Sequence, residues 1–113
     1  MLSRLEELSN GGSEERRGSV NTTEYLLTCL IEECAEVIQR ATKAQRFGLM
    51  EIQPGQKMDN QQRLQEEISD LWGTLVMLRD HGIGLHPLRH LGEKKIAKVK
   101  EFMEYSRKEG CLQ

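Results

Sequence analysis

Three long segments of this chain place apolar residues every three or four positions, and no β-branched run of any length alternates apolar with polar. That period lines one side of an α-helix and does not serve a half-buried strand. The first segment starts near Asn21, whose side chain can cap a helix while Glu24 reaches back to complete a capping box. Leu27, Leu30, Ile31, Cys34, Ile38 and Ala41 then recur without an intervening glycine or proline, and Gly48 ends the run. Residues 48–60 (GLMEIQPGQKMDN) form a connecting loop, because Pro54-Gly55 is a turn signal. Asp59 or Asn60 caps the second helix, which carries Leu64, Ile68, Leu71, Leu75 and Leu78 and stops at Gly82. Pro87 suits the first position of a third helix. Its apolar members are Leu88, Leu91, Ile96, Val99, Phe102 and Met103, read as core, and it should fray from Arg107 to Gly110. The expected fold is all-α, an antiparallel helical bundle, since the connections are short.

Residues 1–20 read differently. Leu2, Leu5 and Leu8 allow a turn or two of helix, but NGGSEERRGSV has three glycines and no period, as in a flexible linker. Two parts are expected: an N-terminal extension over 1–20, flexible or docked on another surface, and one helical domain over 21–110. A chain of 113 residues buries a small core, so the bundle should be completed by a second copy, as a dimer or tetramer.

A formal net charge of −2 offers no global attraction to a nucleic-acid polymer or an acidic membrane surface. No apolar run approaches the roughly 18 residues of a membrane span, and the first twenty residues are too polar for a signal peptide. Cys29, Cys34 and Cys111 match neither a zinc ribbon nor a redox pair, and Cys34 falls in an apolar stripe where a free thiol is a small hydrophobe. A reducing, cytoplasmic location is expected.

The chemistry is concentrated in two acidic segments. Glu32-Glu33-Cys34-Ala35-Glu36 and Glu66-Glu67-Ile68-Ser69-Asp70 each hold two adjacent glutamates and an acid-x-x-acid pair. Residues three apart share a helix face, with Cβ atoms about 5–6 Å apart. Helical phase puts Glu33 and Glu36, and likewise Glu67 and Asp70, along one edge of an apolar stripe. Packing the stripes together brings four carboxylates to one rim. Uncompensated, they would repel and raise each other's pKa, so a hard divalent cation, magnesium with manganese as a substitute, is the expected occupant. Magnesium commonly takes substrate phosphate oxygens as its remaining ligands. A single such pair is ordinarily solvated surface, and Glu36 with Arg40 is also a favourable i,i+4 ion pair. Two pairs on matching edges shift the balance to a metal site.

The segments LIEECAEV and LQEEISDLWGTLVML, with a helical tail KKIAKVKEFMEYS, resemble the MazG-like all-α NTP pyrophosphatase superfamily, whose signature is E-E-x-x-E followed by E-x-x-D. The resemblance covers residues 21–105. It implies a MazG-like bundle and an oligomer, with Glu33, Glu36, Glu67 and Asp70 as magnesium ligands and Glu32 and Glu66 as auxiliary groups, one of them orienting the attacking water. The implied reaction is magnesium-dependent hydrolysis of a nucleoside triphosphate, a deoxynucleotide by preference, to monophosphate and pyrophosphate. Several relatives carry asparagine and tyrosine in the last helix where Lys98 and Phe102 stand here. That difference and the loop over 48–60 bear on the base rather than on the reaction.

Lys95 and Lys98, one turn apart, are candidates for phosphate contact, although lysines alternating with Glu93, Glu101 and Glu104 also describe a solvated face. Arg63 and Lys57 are weaker ones. Trp72 fits the core or a subunit interface better than a stack on a base. His86 and His90 have zinc spacing but no third ligand. A phosphoribosyl-ATP pyrophosphatase shares the metal logic, and a non-catalytic helical oligomerisation module is the alternative of another class.

Overall fold

The computed structural model describes residues 20–113, and the expectations for residues 1–19 lie outside it. It is all-helical: α1 (Thr22–Phe47), α2 (Asn60–Asp80) and α3 (Arg89–Lys108). Local chemistry sets the helix ends. Asn21 Oδ1 accepts the Glu24 N–H at 2.8 Å, but Glu24 returns no bond, so only half of the expected box forms. The complete box starts α2 instead. Asp59 takes the Gln62 N–H at 2.8 Å, and the Gln62 side chain accepts the Asp59 N–H at 2.9 Å. Gly82, at φ 85°, closes α2 in a Schellman turn, with Ile83 N–H donating to the Leu78 carbonyl.

Two ends of α3 differ from expectation. Leu88 is the extended N-cap, and Pro87 stands one residue outside the helix. No side chain caps this end, so nothing recruits Pro87 and Leu88 into the first turn. The C-terminus does not fray near Arg107, because Gly110, at φ 79°, lets Cys111 N–H reach the Ser106 carbonyl in a second Schellman turn.

α1 and α2 pack as an antiparallel pair, and the loop between them is pinned. Asn60, 2% exposed, donates to the Gly48 carbonyl at 2.8 Å and to Glu51 Oε1 at 2.9 Å. Pro54-Gly55 forms the expected turn, with Gly55 at φ 84° and Gln56 N–H on the Gln53 carbonyl. Arg63 donates to Gln53 Oε1 at 2.8 Å, so its guanidinium braces this loop.

The seam between the helices lies one register away from the stripe read in sequence on α1. Its inward positions are Leu26, Leu30, Glu33, Val37, Arg40 and Ala44, facing Asn60, Leu64, Glu67, Leu71, Thr74 and Leu78. Both sets alternate steps of four and three, the spacing of a coiled-coil seam. Ile31 and Ile38, expected inside, are 68% and 67% exposed. Cys34 and Ala41 are exposed with them. Trp72 is not core either, at 67% exposure. Ile31, Cys34, Ile38 and Ala41 thus make a second apolar stripe on α1, turned away from the seam.

α3 does not pack on this pair as α1 and α2 pack on each other. Leu88, Leu91, Ile96, Val99, Phe102 and Met103 are therefore exposed rather than core. No described helix is long and apolar enough to cross a membrane.

Candidate metal centre

The acids occupy the middle of the seam. Glu33 on α1 and Glu67 on α2 sit at inward positions where a coiled-coil pair ordinarily places leucine. Asp70 follows Glu67 by one turn. One carboxylate oxygen from each of Glu33, Glu67 and Asp70 lies within 4.8 Å of the others. Sequence phase had placed these acids at the edge of the stripes, whereas the register of packing turns Glu33 and Glu67 further in.

Glu36 and Glu66 are exposed beside this group. Glu36 is not among the three converging carboxylates, but its charge bears on both Glu33 and Glu67. Glu32 is half-buried, and its Oε1 is shielded from solvent without a hydrogen-bond partner among the described residues. The expected Glu36–Arg40 ion pair does not form. Arg40 instead lies in the seam, where its charge partly steadies the Glu67 carboxylate.

Glu33 is held above its ordinary pKa first by desolvation and then by the charges of Asp70, Glu67, Glu36 and Glu32. Glu67 is raised by desolvation, then by Glu36 and Asp70, against the opposing pull of Arg40. No lysine or arginine stands within ion-pair distance of Glu33, Glu67 or Asp70 among the described residues. Carboxylates this close together suit a hard divalent cation, and the all-oxygen donor set would fit magnesium or manganese.

Glu33 and Glu67 bind protons more tightly folded than unfolded, so between their ordinary pKa of 4.5 and the raised folded values the native state holds more protons. Stability then falls as pH rises through that window, and the penalty is complete above it. In EDTA, Glu33→Gln is expected to melt higher than wild type at neutral pH, with the difference vanishing below the window. A variant that melts lower at neutral pH would show that the ionised carboxylate is stabilising.

An open cleft of about 670 Å³ runs from the acids towards the free ends of the helix pair. Tyr25 and Cys29 of α1, with Trp72, Gly73 and Met77 of α2, line it, and Glu33 and Asp70 close one end. A volume in the range of about 300–1,000 Å³, apolar walls and a few polar groups at one end are the usual features of a small-molecule site. Sequence reading passed over Tyr25, Cys29 and Gly73. The signal was spacing: Tyr25, Cys29 and Glu33 are one turn apart on α1, as are Asp70, Gly73 and Met77 on α2. Antiparallel pairing stacks the two series over the same space. Burial and the charges of Glu32 and Glu33 push the Cys29 thiol up, which disfavours the thiolate a nucleophile needs.

Lys95 and Lys98 are exposed on α3. They make no ion pair with the acids, and α3 is not packed against the helices that carry them. Lys57 is exposed in the loop. No family model, curated protein or solved structure matches this chain.

Proposed function

We propose that this chain is a magnesium-dependent nucleoside triphosphate pyrophosphohydrolase, cleaving a triphosphate to monophosphate and pyrophosphate, with deoxynucleotides as preferred substrates. The observation that carries it is the convergence of Glu33, Glu67 and Asp70 at the seam, beside an open cleft of about 670 Å³. Charged groups at seam positions cost folding energy that leucines would not. Such a local conflict between sequence and fold is expected where function selects the residues.

Glu33, Glu67 and Asp70 would hold the cation, and the resemblance adds Glu36, whose charge already bears on Glu33 and Glu67. A cation held there would supply positive charge for the phosphate oxygens and for the leaving pyrophosphate. Glu32, which the resemblance makes an auxiliary group and whose Oε1 has no hydrogen-bond partner among the described residues, is the acceptor assigned to orient water towards the phosphorus. The cleft takes the sugar and base. In the same reading the chain works as a homo-oligomer in the cytoplasm. Its outer stripes and α3 pack against another copy, and Lys95 and Lys98 can reach phosphate only through such assembly.

The exposed apolar stripes by themselves also favour a non-catalytic oligomerisation module, and the two readings separate by activity. The eight common NTPs and dNTPs are each incubated with protein and magnesium, and monophosphate and pyrophosphate are measured. Pyrophosphate from one or a few of them, abolished by EDTA, is the expected result. No product from any nucleotide, with folded protein and with manganese also tried, would leave the oligomerisation module.

A further inference from the structure

We infer that Gly73 is a specificity-determining residue, whose missing side chain keeps open the wall of the cleft where the flat ring of a nucleotide lies. The inference rests on the hydrolase reading and deepens it. Glycine in the interior of a helix is a costly choice, less favourable than alanine by about 0.8–1.0 kcal/mol, so its presence asks for a reason.

Two ordinary reasons are absent. Gly73 is not among the glycines with positive φ, which are Gly48, Gly55, Gly82 and Gly110, so the backbone does not require it. A Cβ built at Gly73 meets nothing within 4 Å, so α1 does not crowd it and helix packing within the chain does not require it either. What the missing side chain borders is the cleft itself. Gly73 lies between Trp72 and Thr74 in its wall, one turn beyond Asp70, with Tyr25 and Cys29 across from it on α1. A phosphate chain held at Glu33, Glu67 and Asp70 would project its sugar and base along this wall. Aromatic and apolar walls suit a planar ring, and a branched side chain at position 73 would take the same space.

The test compares wild type with Gly73→Leu and Gly73→Ala over the same eight nucleotides. Three further readouts accompany the kinetics: the rise in melting temperature with magnesium alone, the melting temperature in EDTA, and mass by light scattering. In Gly73→Leu, KM for the substrates of the wild type should rise about 10- to 100-fold, the range that one or a few misplaced methylenes command in a fitted pocket. Magnesium alone should still raise its melting temperature as in wild type, because the carboxylates are untouched. Gly73→Ala should melt higher than wild type in EDTA, as helix propensity demands. A wild-type KM in Gly73→Leu, while the wild type turns over nucleotides, overturns this inference and leaves the hydrolase standing. A change of assembly mass in Gly73→Leu also overturns it, because the glycine would then make room for a neighbouring helix. A lower melting temperature in Gly73→Ala does the same by showing that the fold requires the glycine. A wild type inert on all eight nucleotides overturns both readings together.

Discussion

Asp70→Ala is expected to lower magnesium-dependent pyrophosphate release by about 100-fold or more, since even the groups that orient a metal's ligands are worth about 10–100-fold. Asp70 is the most informative of the acids to remove. Glu33 and Glu67 sit in the seam, where a substitution also changes packing, but Asp70 is exposed and its loss leaves no cavity. The same change removes one of the negative charges that press on Glu33 and Glu67. In EDTA the variant should therefore melt at or above the wild-type temperature, and magnesium should no longer raise it as it does in wild type. A cation bound only by the folded state adds about 2.7 kcal/mol at 100 times its Kd, which amounts to about 10 °C or more in a domain of this size. Turnover equal to wild type would rule out a cation site at this cluster. Lost turnover with an unchanged magnesium response would move Asp70 from the cation to the substrate.

Phe102→Glu is expected to split the assembly and to lower the melting temperature by a comparably large amount. Phe102 is 58% exposed on α3 and takes little part in the core of its own chain. Within a monomer the substitution would be close to neutral, as surface changes usually fall within about 0.5 kcal/mol. At an interface between copies it removes the burial of a phenyl group, worth about 1.5–3 kcal/mol in each chain, and puts an unpaired carboxylate in its place at further cost. Light scattering should give twice or four times the chain mass for wild type and the single-chain mass for the variant. The wild-type melting temperature should rise with protein concentration, as mass action requires. A wild type that is monomeric and melts cooperatively at every concentration would show that the outer stripes need no partner.

Much of the secondary structure was legible because its signals are local. Asn21 and Asp59 cap helices through atoms three residues away, and Gly82 ends α2 through a backbone conformation that other residues avoid. The acid pair within each segment was legible for the same reason, since helical spacing alone puts Glu67 and Asp70 on one face. The N-cap of α3 was misplaced because Pro87 is compatible with a first turn but does not compel one. The Gly110 closure of α3 was overlooked, though its signal was as local as that of Gly82.

Which face of α1 turns inward could not be settled locally. Leu27, Leu30, Ile31, Cys34, Ile38 and Ala41 make a better apolar stripe than Leu26, Leu30, Glu33, Val37, Arg40 and Ala44, which share only Leu30 with it, and hydrophobicity favours the first. The helix pair uses the second. Its register follows from the fit of two whole helix faces and from the loop that Asn60 anchors between them, a constraint no window along one helix contains. That choice of register carried Glu33 and Glu67 from the rim into the seam, opened the cleft beside Tyr25 and Gly73, and left Ile31 and Ile38 facing outward. Three helices, the ends of α1 and α2 and the set of acids are written in contacts within a turn or two. Which acids converge and which apolar faces stay exposed depends instead on the relative rotation of helices whose facing residues lie far apart along the chain, so no local signal holds it.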